Sequence, residues 1–278
     1  MTIAAHALFT GIRLRCVSQR GTPFRISRTY MPVVLAAAFI GACDSAVDRR
    51  PRAAAEGGTA TSESKALSKS DIDADAAARA VFGPGRPAVA RVGTTTVQFK
   101  PGRVIQVGSN DIFIASGDAL SSAHPDPGYV GFWYLRRKGT KFTVLARHPG
   151  FVALGSFGRA PEWKMRADLG PFPVVEVTGF GMWFGHAFTC TSLVALEPQQ
   201  PKLLLNKVIT GYQFDPGDEP TSEPAADVTG SVAYRADTDR YVVTYRGTAS
   251  GDQVFVRKQG RFIPLNPSPV DKRCSSDA

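Results

Sequence analysis

The sequence predicts an all-β fold: an antiparallel sandwich or barrel-like single domain, preceded by a short helix and a flexible tether. Three observations carry that expectation. Between Val89 and Leu265, short β-branched or aromatic runs alternate with clusters of Gly, Pro, Asn and Asp, the pattern of strands joined by tight turns. None of these runs sustains a helical period. The stretch is under 200 residues long, a size that one hydrophobic core can serve.

The first element is the helix. Ser70 offers an N-cap hydroxyl, Asp71 and Asp73 put carboxylates in the first turn, and Gly83-Pro84-Gly85 ends the run after Phe82. Ile72 and Phe82 are its expected contacts with the domain. Clear strand runs follow at 94–99, 103–107, 111–115, 130–135, 141–146 and 174–178, then at 188–196, 203–209, 231–235, 241–245, 253–257 and 261–265. Turn formers bound each of them. From Tyr234 to Tyr241 the chain reads as a hairpin, with a polar turn around Asp237 and Asp239 between alternating strands. The segments starting at Tyr134 and Phe255 echo one another: an aromatic strand, a basic glycine turn, then Phe142 or Phe262 opening a second strand. A recurring hairpin solution explains this better than duplicated halves, because no matching period fills the sequence between them.

The chain divides into residues 1–42, a signal or leader segment; 43–70, the tether; 71–266, the β-rich domain; and 267–278, a tail. Residues 44–70 are rich in Ala, Ser, Thr, Gly, Arg and Glu, too poor in large apolar groups to offset the entropy of ordering. The formal charge of +9 overstates the basic character of the domain, since five arginines and no acids precede Cys43. Beyond that point 28 basic side chains face 24 acidic ones, an ordinary balance that gives no reason to expect nucleic acid as a partner.

Residues 32–42 are all apolar, Gly or Pro, and follow Arg25 and Arg28 with no acid before them, the order of a secretory signal. The run is about half the roughly 20 residues a spanning helix requires. It closes on Ile40-Gly41-Ala42-Cys43, which resembles the lipobox of bacterial lipoproteins. The resemblance implies a diacylglyceryl group on the Cys43 thiol, cleavage after Ala42, an acylated N-terminus and a membrane anchor facing the periplasm. By the sorting rule of enteric lipoproteins, Asp44 in the next position implies the inner membrane. Residues 1–30 form an unusually long n-region for such a signal, and a translation start near Val17 is expected in place of Met1. Of the remaining cysteines, Cys16 falls in the leader. Cys190 and Cys274 are then either a disulfide, as an oxidising compartment favours, or a buried thiol and a free one in the tail.

Few residues suggest chemistry. Gly179-Phe-Gly-Met-Trp183-Phe-Gly185-His186 misses the dinucleotide fingerprint and reads as a tight turn, with Trp183 and Phe184 on opposite faces. With Tyr129, Trp133, Trp163 and His124, Trp183 forms a candidate ligand surface for a sugar or peptide; the competing reading places most of these rings in the core. His124, beside Asp126 in a turn-rich loop, reads as a solvated side chain, with a catalytic role oriented by Asp126 as the alternative and no catalytic residue assigned; His148 likewise precedes Pro149-Gly150 in an expected loop, and His186 reads as a satisfied buried side chain. Their spacing matches no zinc motif, and no metal or cofactor is expected. Glu162, Asp168 and Glu176 suggest a glycosidase pair or, more plainly, solvated acids. Asp215-Pro-Gly-Asp218-Glu219 lacks the alternating ligands of a calcium loop. The basic turns at Arg136-Arg137-Lys138 and Arg257-Lys258 with Arg261 suit either anionic headgroups or the protection of strand edges.

These features together lead to the expectation of a lipid-anchored envelope protein whose domain binds or inhibits an envelope protein or glycan without catalysis. A cell-wall hydrolase and a structural partner in an envelope assembly are the alternatives.

Overall fold

The computed structural model describes residues 69–217, 223–272 and 274. The leader, Ile40, Gly41, Ala42, Cys43 and most of the tether lie outside the described residues, as do the side chains of Ser70, Asp71 and Ile72. The described residues belong to one compact unit.

Helix α1 spans Lys69–Phe82 and is followed by fourteen strands among the described residues. A six-stranded sheet contains β1 (Val89–Val92), β2 (Thr95–Phe99), β3 (Arg103–Val107), β4 (Asn110–Ala119), β5 (Gly128–Lys138) and β6 (Lys141–Leu154). Here β2 and β3 share one edge of β4, β2 along Gly117–Ala119 and β3 along Asn110–Ile114. The second sheet is an eight-stranded meander: β7 (Glu162–Arg166), β8 (Val174–Trp183), β9 (His186–Leu196), β10 (Pro201–Phe214), β11 (Ala226–Arg235), β12 (Arg240–Gly247), β13 (Gly251–Lys258) and β14 (Arg261–Pro264). Each strand pairs antiparallel with the next. Contacts between β10 and β14 curl this sheet on itself.

Two cores follow from alternation along the strands. Ile112, Ile114, Phe132 and Tyr134 turn inward to meet Val175, Val177, Val194 and Leu196 of the second sheet. The residues between them, Phe113, Ala115, Trp133 and Leu135, turn outward and are covered by Ala77, Val81 and Phe82 of α1. Both faces of β4 and β5 are therefore dry, which is why these runs read as continuously apolar. Phe82 makes the contact expected of it, standing edge-on to the Trp133 ring at 5.3 Å.

The strands outrun the sequence-based spans where polar residues lie in sheet. Strands β1 and β7 were not expected, β7 because Glu-Trp-Lys-Met-Arg carries three charges in five residues. His148-Pro149-Gly150, expected as a loop, lies within β6. Pro149 falls where the register slips, between the Val130–Val152 and Phe132–His148 pairs, so its missing N–H interrupts no assigned ladder pair. Gly179 marks the crossing of the sheets: a Cβ there would stand 2.5 Å from the backbone nitrogen of Gly155. The hairpin at Tyr234 forms as expected, Tyr234 opposite Tyr241.

The tail is tied to the core. Val270 is buried, and Cys190 and Cys274 are bonded with their Cα atoms 5.7 Å apart. Among the described residues no helix is long and apolar enough to cross a membrane.

Candidate binding trough

Strand β8 builds the site. Alternation sends Val175 and Val177 into the inter-sheet core and puts Glu176, Thr178, Phe180 and Met182 on the opposite face. Antiparallel register then places Lys164 and Glu162 of β7 beside Glu176 and Thr178. On the other side Thr191 and Thr189 of β9 stand beside Thr178 and Phe180. A further hydroxyl arrives from β10, where Thr210 Oγ1 lies 2.7 Å from Thr191 Oγ1.

Two hollows open on this face. One, of about 510 Å³, is lined by β7, the threonines and Ser231; the other, of about 620 Å³, extends to Phe157, Arg159, Phe180 and Met182. They share Glu162, Thr178 and Thr189, so they are sections of one trough, polar at one end and aromatic at the other. From Glu176 to Met182 the floor runs about 20 Å at the ordinary rise of a strand.

The polar end is an ion network. Arg166 bonds Glu176 and also Asp168, the latter through two bonds of 2.8 and 2.7 Å, and Lys164 reaches Glu176 at 2.9 Å. Hydrogen bonding from Arg166 pulls the Asp168 carboxyl down to about 2. Glu176 is nearly buried and held by two cations, so it is not the solvated acid expected. A glycosidase acid needs its proton affinity raised, whereas that of Asp168 is lowered.

At the aromatic end Phe157, which lines the trough, also belongs to an exposed stack that continues away from it. His124 lies between Phe157 and Trp183, with ring centroids 4.1 and 4.7 Å away, and its Nε2 donates to the Met182 carbonyl at 2.7 Å. Asp126 does not orient His124: its carboxylate accepts the Ala123 N–H instead. Loops 120–127 and 155–161 are joined by backbone bonds from Phe157 to His124 and from Gly158 to Asp126. The β8–β9 turn is Phe184-Gly185, both at positive φ, the backbone of a tight type I′ hairpin. It leaves Phe184 82% exposed and Trp183 49%.

The other proposed residues disperse. Trp133 is 1% exposed and belongs to the core under α1, so it offers no ligand surface. Tyr129 packs against that same core. Trp163 is partly buried, lines the trough and lies beneath the Arg103 guanidinium at 5.7 Å. His148 is pressed between Tyr134 and Phe151 with its buried Nε2 unbonded, and burial lowers its proton affinity. It is not the solvated loop side chain the sequence suggests. His186 is satisfied. Tyr212 donates its single proton to Glu223 at 2.9 Å, so His186 Nδ1 donates to the Tyr212 oxygen at 2.8 Å. In the acidic loop Asp215 accepts the Gly217 N–H, while Asp218 and Glu219 lie outside the described residues. Among the described residues no cluster of metal-ligating side chains occurs.

Sequence reasoning missed the threonine floor and the Arg166–Glu176 pair. The available signal was Thr189 and Thr191 at alternate positions, in phase with Glu176 and Thr178 across a hairpin. Comparison with protein-family models, curated proteins and solved structures finds no match.

Proposed function

We propose that this chain is a bacterial lipoprotein, anchored through Cys43 to the inner membrane, whose domain holds an extended, hydroxyl-rich glycan along the trough without cleaving it. The observation that carries this reading is the trough's continuity: a floor of threonine hydroxyls runs from the Arg166–Glu176 pair to the exposed rings of Phe180 and Phe157, and Phe157 stacks on His124, which stacks in turn on Trp183 beyond the trough. Hydroxyls that donate and accept suit sugar hydroxyls, and flat aromatic faces suit the apolar faces of sugar rings. Glu176 is tied up by Arg166 and Lys164, which suits a fixed polar wall for a held ligand. The lipobox resemblance supports the anchor and the envelope location.

The test is calorimetric titration of the protein with soluble N-acetylated cell-wall glycan fragments of graded length, with product analysis after each titration. Binding that tightens with length and leaves the fragments intact supports the reading. Absence of binding, or shortened fragments, contradicts it.

A further inference from the structure

The two basic turns and the chain's point of entry into the domain lie at the same end, and this carries an inference separate from the trough. In the meander the β9–β10, β11–β12 and β13–β14 turns share one end, by alternation of direction. The β5–β6 hairpin joins them there, because Tyr134 donates to the carbonyl of Glu197 and Asn110 to that of Pro198, both at the β9–β10 turn. Helix α1 begins at this end too, Asp73 lying 2.8 Å from Arg137 at the foot of the β5–β6 hairpin.

The echo in the sequence becomes a shared clamp. Arg137 lies over the Phe142 ring at 4.6 Å, and Arg257 over Phe262 at 4.4 Å, each from the facing position on the partner strand. Each arginine is also bonded to acid, Arg137 to Asp111 and Asp73 and Arg257 to Asp239. The clamped arginines stiffen the tips, and the charge that faces solvent comes from their neighbours. Arg136, Lys138 and Lys141 are exposed on one hairpin, and Lys258 and Arg261 on the other. Arg235 and Arg240 stand opposite one another, also exposed, beside the β11–β12 turn. Among the described residues none of these seven has an acidic partner. On the same turns the exposed Asp237 is the carboxylate left over once Asp239, Asp111 and Glu197 are matched to Arg257, Arg137 and Lys202.

We propose that this basic end docks on an anionic phospholipid surface, with the aromatic end of the trough turned away from it. Protection of strand edges would explain isolated charges on separate strands. It does not explain seven unpaired cations against one unmatched acid on these turns, counted among the described residues, gathered at the end where the chain leads back toward Cys43. Trp183 lies at the far end of β8, about 30 Å from Val174 at the ordinary strand rise, and so clear of the surface. The docking stands whether or not the trough takes a glycan.

The experiment is cosedimentation of the full chain with vesicles of pure phosphatidylcholine and with vesicles containing about one third phosphatidylglycerol, at low and high salt. A basic side chain near such a surface is worth about fivefold in partitioning. The double variant Lys138→Glu/Lys258→Glu should therefore lose at least about twentyfold on the anionic vesicles at low salt, and little on the neutral ones. The control Arg91→Glu/Arg246→Glu carries the same change of charge at the opposite end, outside the trough, and should bind as the unmodified chain does. All four positions are exposed, and a common thermal melt checks that the fold survives. Equal binding of the unmodified chain and the Lys138→Glu/Lys258→Glu variant to anionic vesicles overturns the proposal. So does an equal loss in the control, which would reflect net charge and not orientation.

Discussion

Arg166 donates to the Glu176 carboxylate across the β7–β8 hairpin while two further bonds hold Asp168. One guanidinium thus fixes the polar end of the trough and favours the charged form of Asp168. Replacing it with methionine would leave Glu176 nearly buried with Lys164 as its only cation, at an expected cost of about 2 kcal/mol. Urea unfolding at neutral pH measures this. Because Asp168 is held below its unfolded value, its share of stability is present above about pH 4 and is lost as pH falls toward about 2. The gap between Arg166→Met and the unmodified protein should therefore narrow over that range. A gap that is absent at neutral pH, or that widens in acid, would count against the pairing.

Trp183 is half exposed and stacks on His124 without entering either core. Trp183→Ala should change stability by less than about 1 kcal/mol while weakening glycan fragments about five- to tenfold. Calorimetric titration beside a thermal melt separates the two effects. Unchanged affinity would remove the aromatic end from the binding surface.

The Cys190–Cys274 bond closes a loop of 84 residues, which in the chain-entropy model stabilises the fold by about 4 to 5 kcal/mol. Cys274→Ser should lower the urea midpoint accordingly, and reduction of the unmodified protein should reproduce the loss. Equal midpoints with and without reductant would show that the tail contributes nothing.

His148 keeps an unbonded, buried Nε2 between Tyr134 and Phe151. Burial lowers its proton affinity, so the unfolded chain binds the proton more readily and stability falls as pH drops below about 6.5. The slope from this one group is at most about 1.4 kcal/mol per pH unit. His148→Phe should flatten the stability profile between pH 6.5 and 5. An unaltered profile would mean that the ring reaches water in the folded state.

The sequence announced what local chemistry controls. Alternation and turn residues mark most of the strands, the Tyr234–Tyr241 hairpin follows from its polar turn, and Phe82 closes its helix against the domain as expected. What it hid depends on register. Glu176 looks like a surface acid until β7 places Lys164 and Arg166 beside it, and the threonine floor exists only once β8, β9 and β10 are aligned. Trp133 looks like a ligand platform because nothing local reveals that α1 covers the outer face of β5. The stacking of His124 on Trp183 joins residues about 60 positions apart through two loops whose lengths predict no contact.

The most direct test of the central claim is an NMR titration of the labelled protein with cell-wall glycan fragments, read at the methyl groups of Thr178, Thr189, Thr191 and Thr210 and at the Trp183 indole. The account predicts saturable shifts confined to these groups, with affinity rising as fragments lengthen until the trough is filled. Shifts confined to other surfaces, or none at concentrations where the longest fragments are soluble, would contradict it.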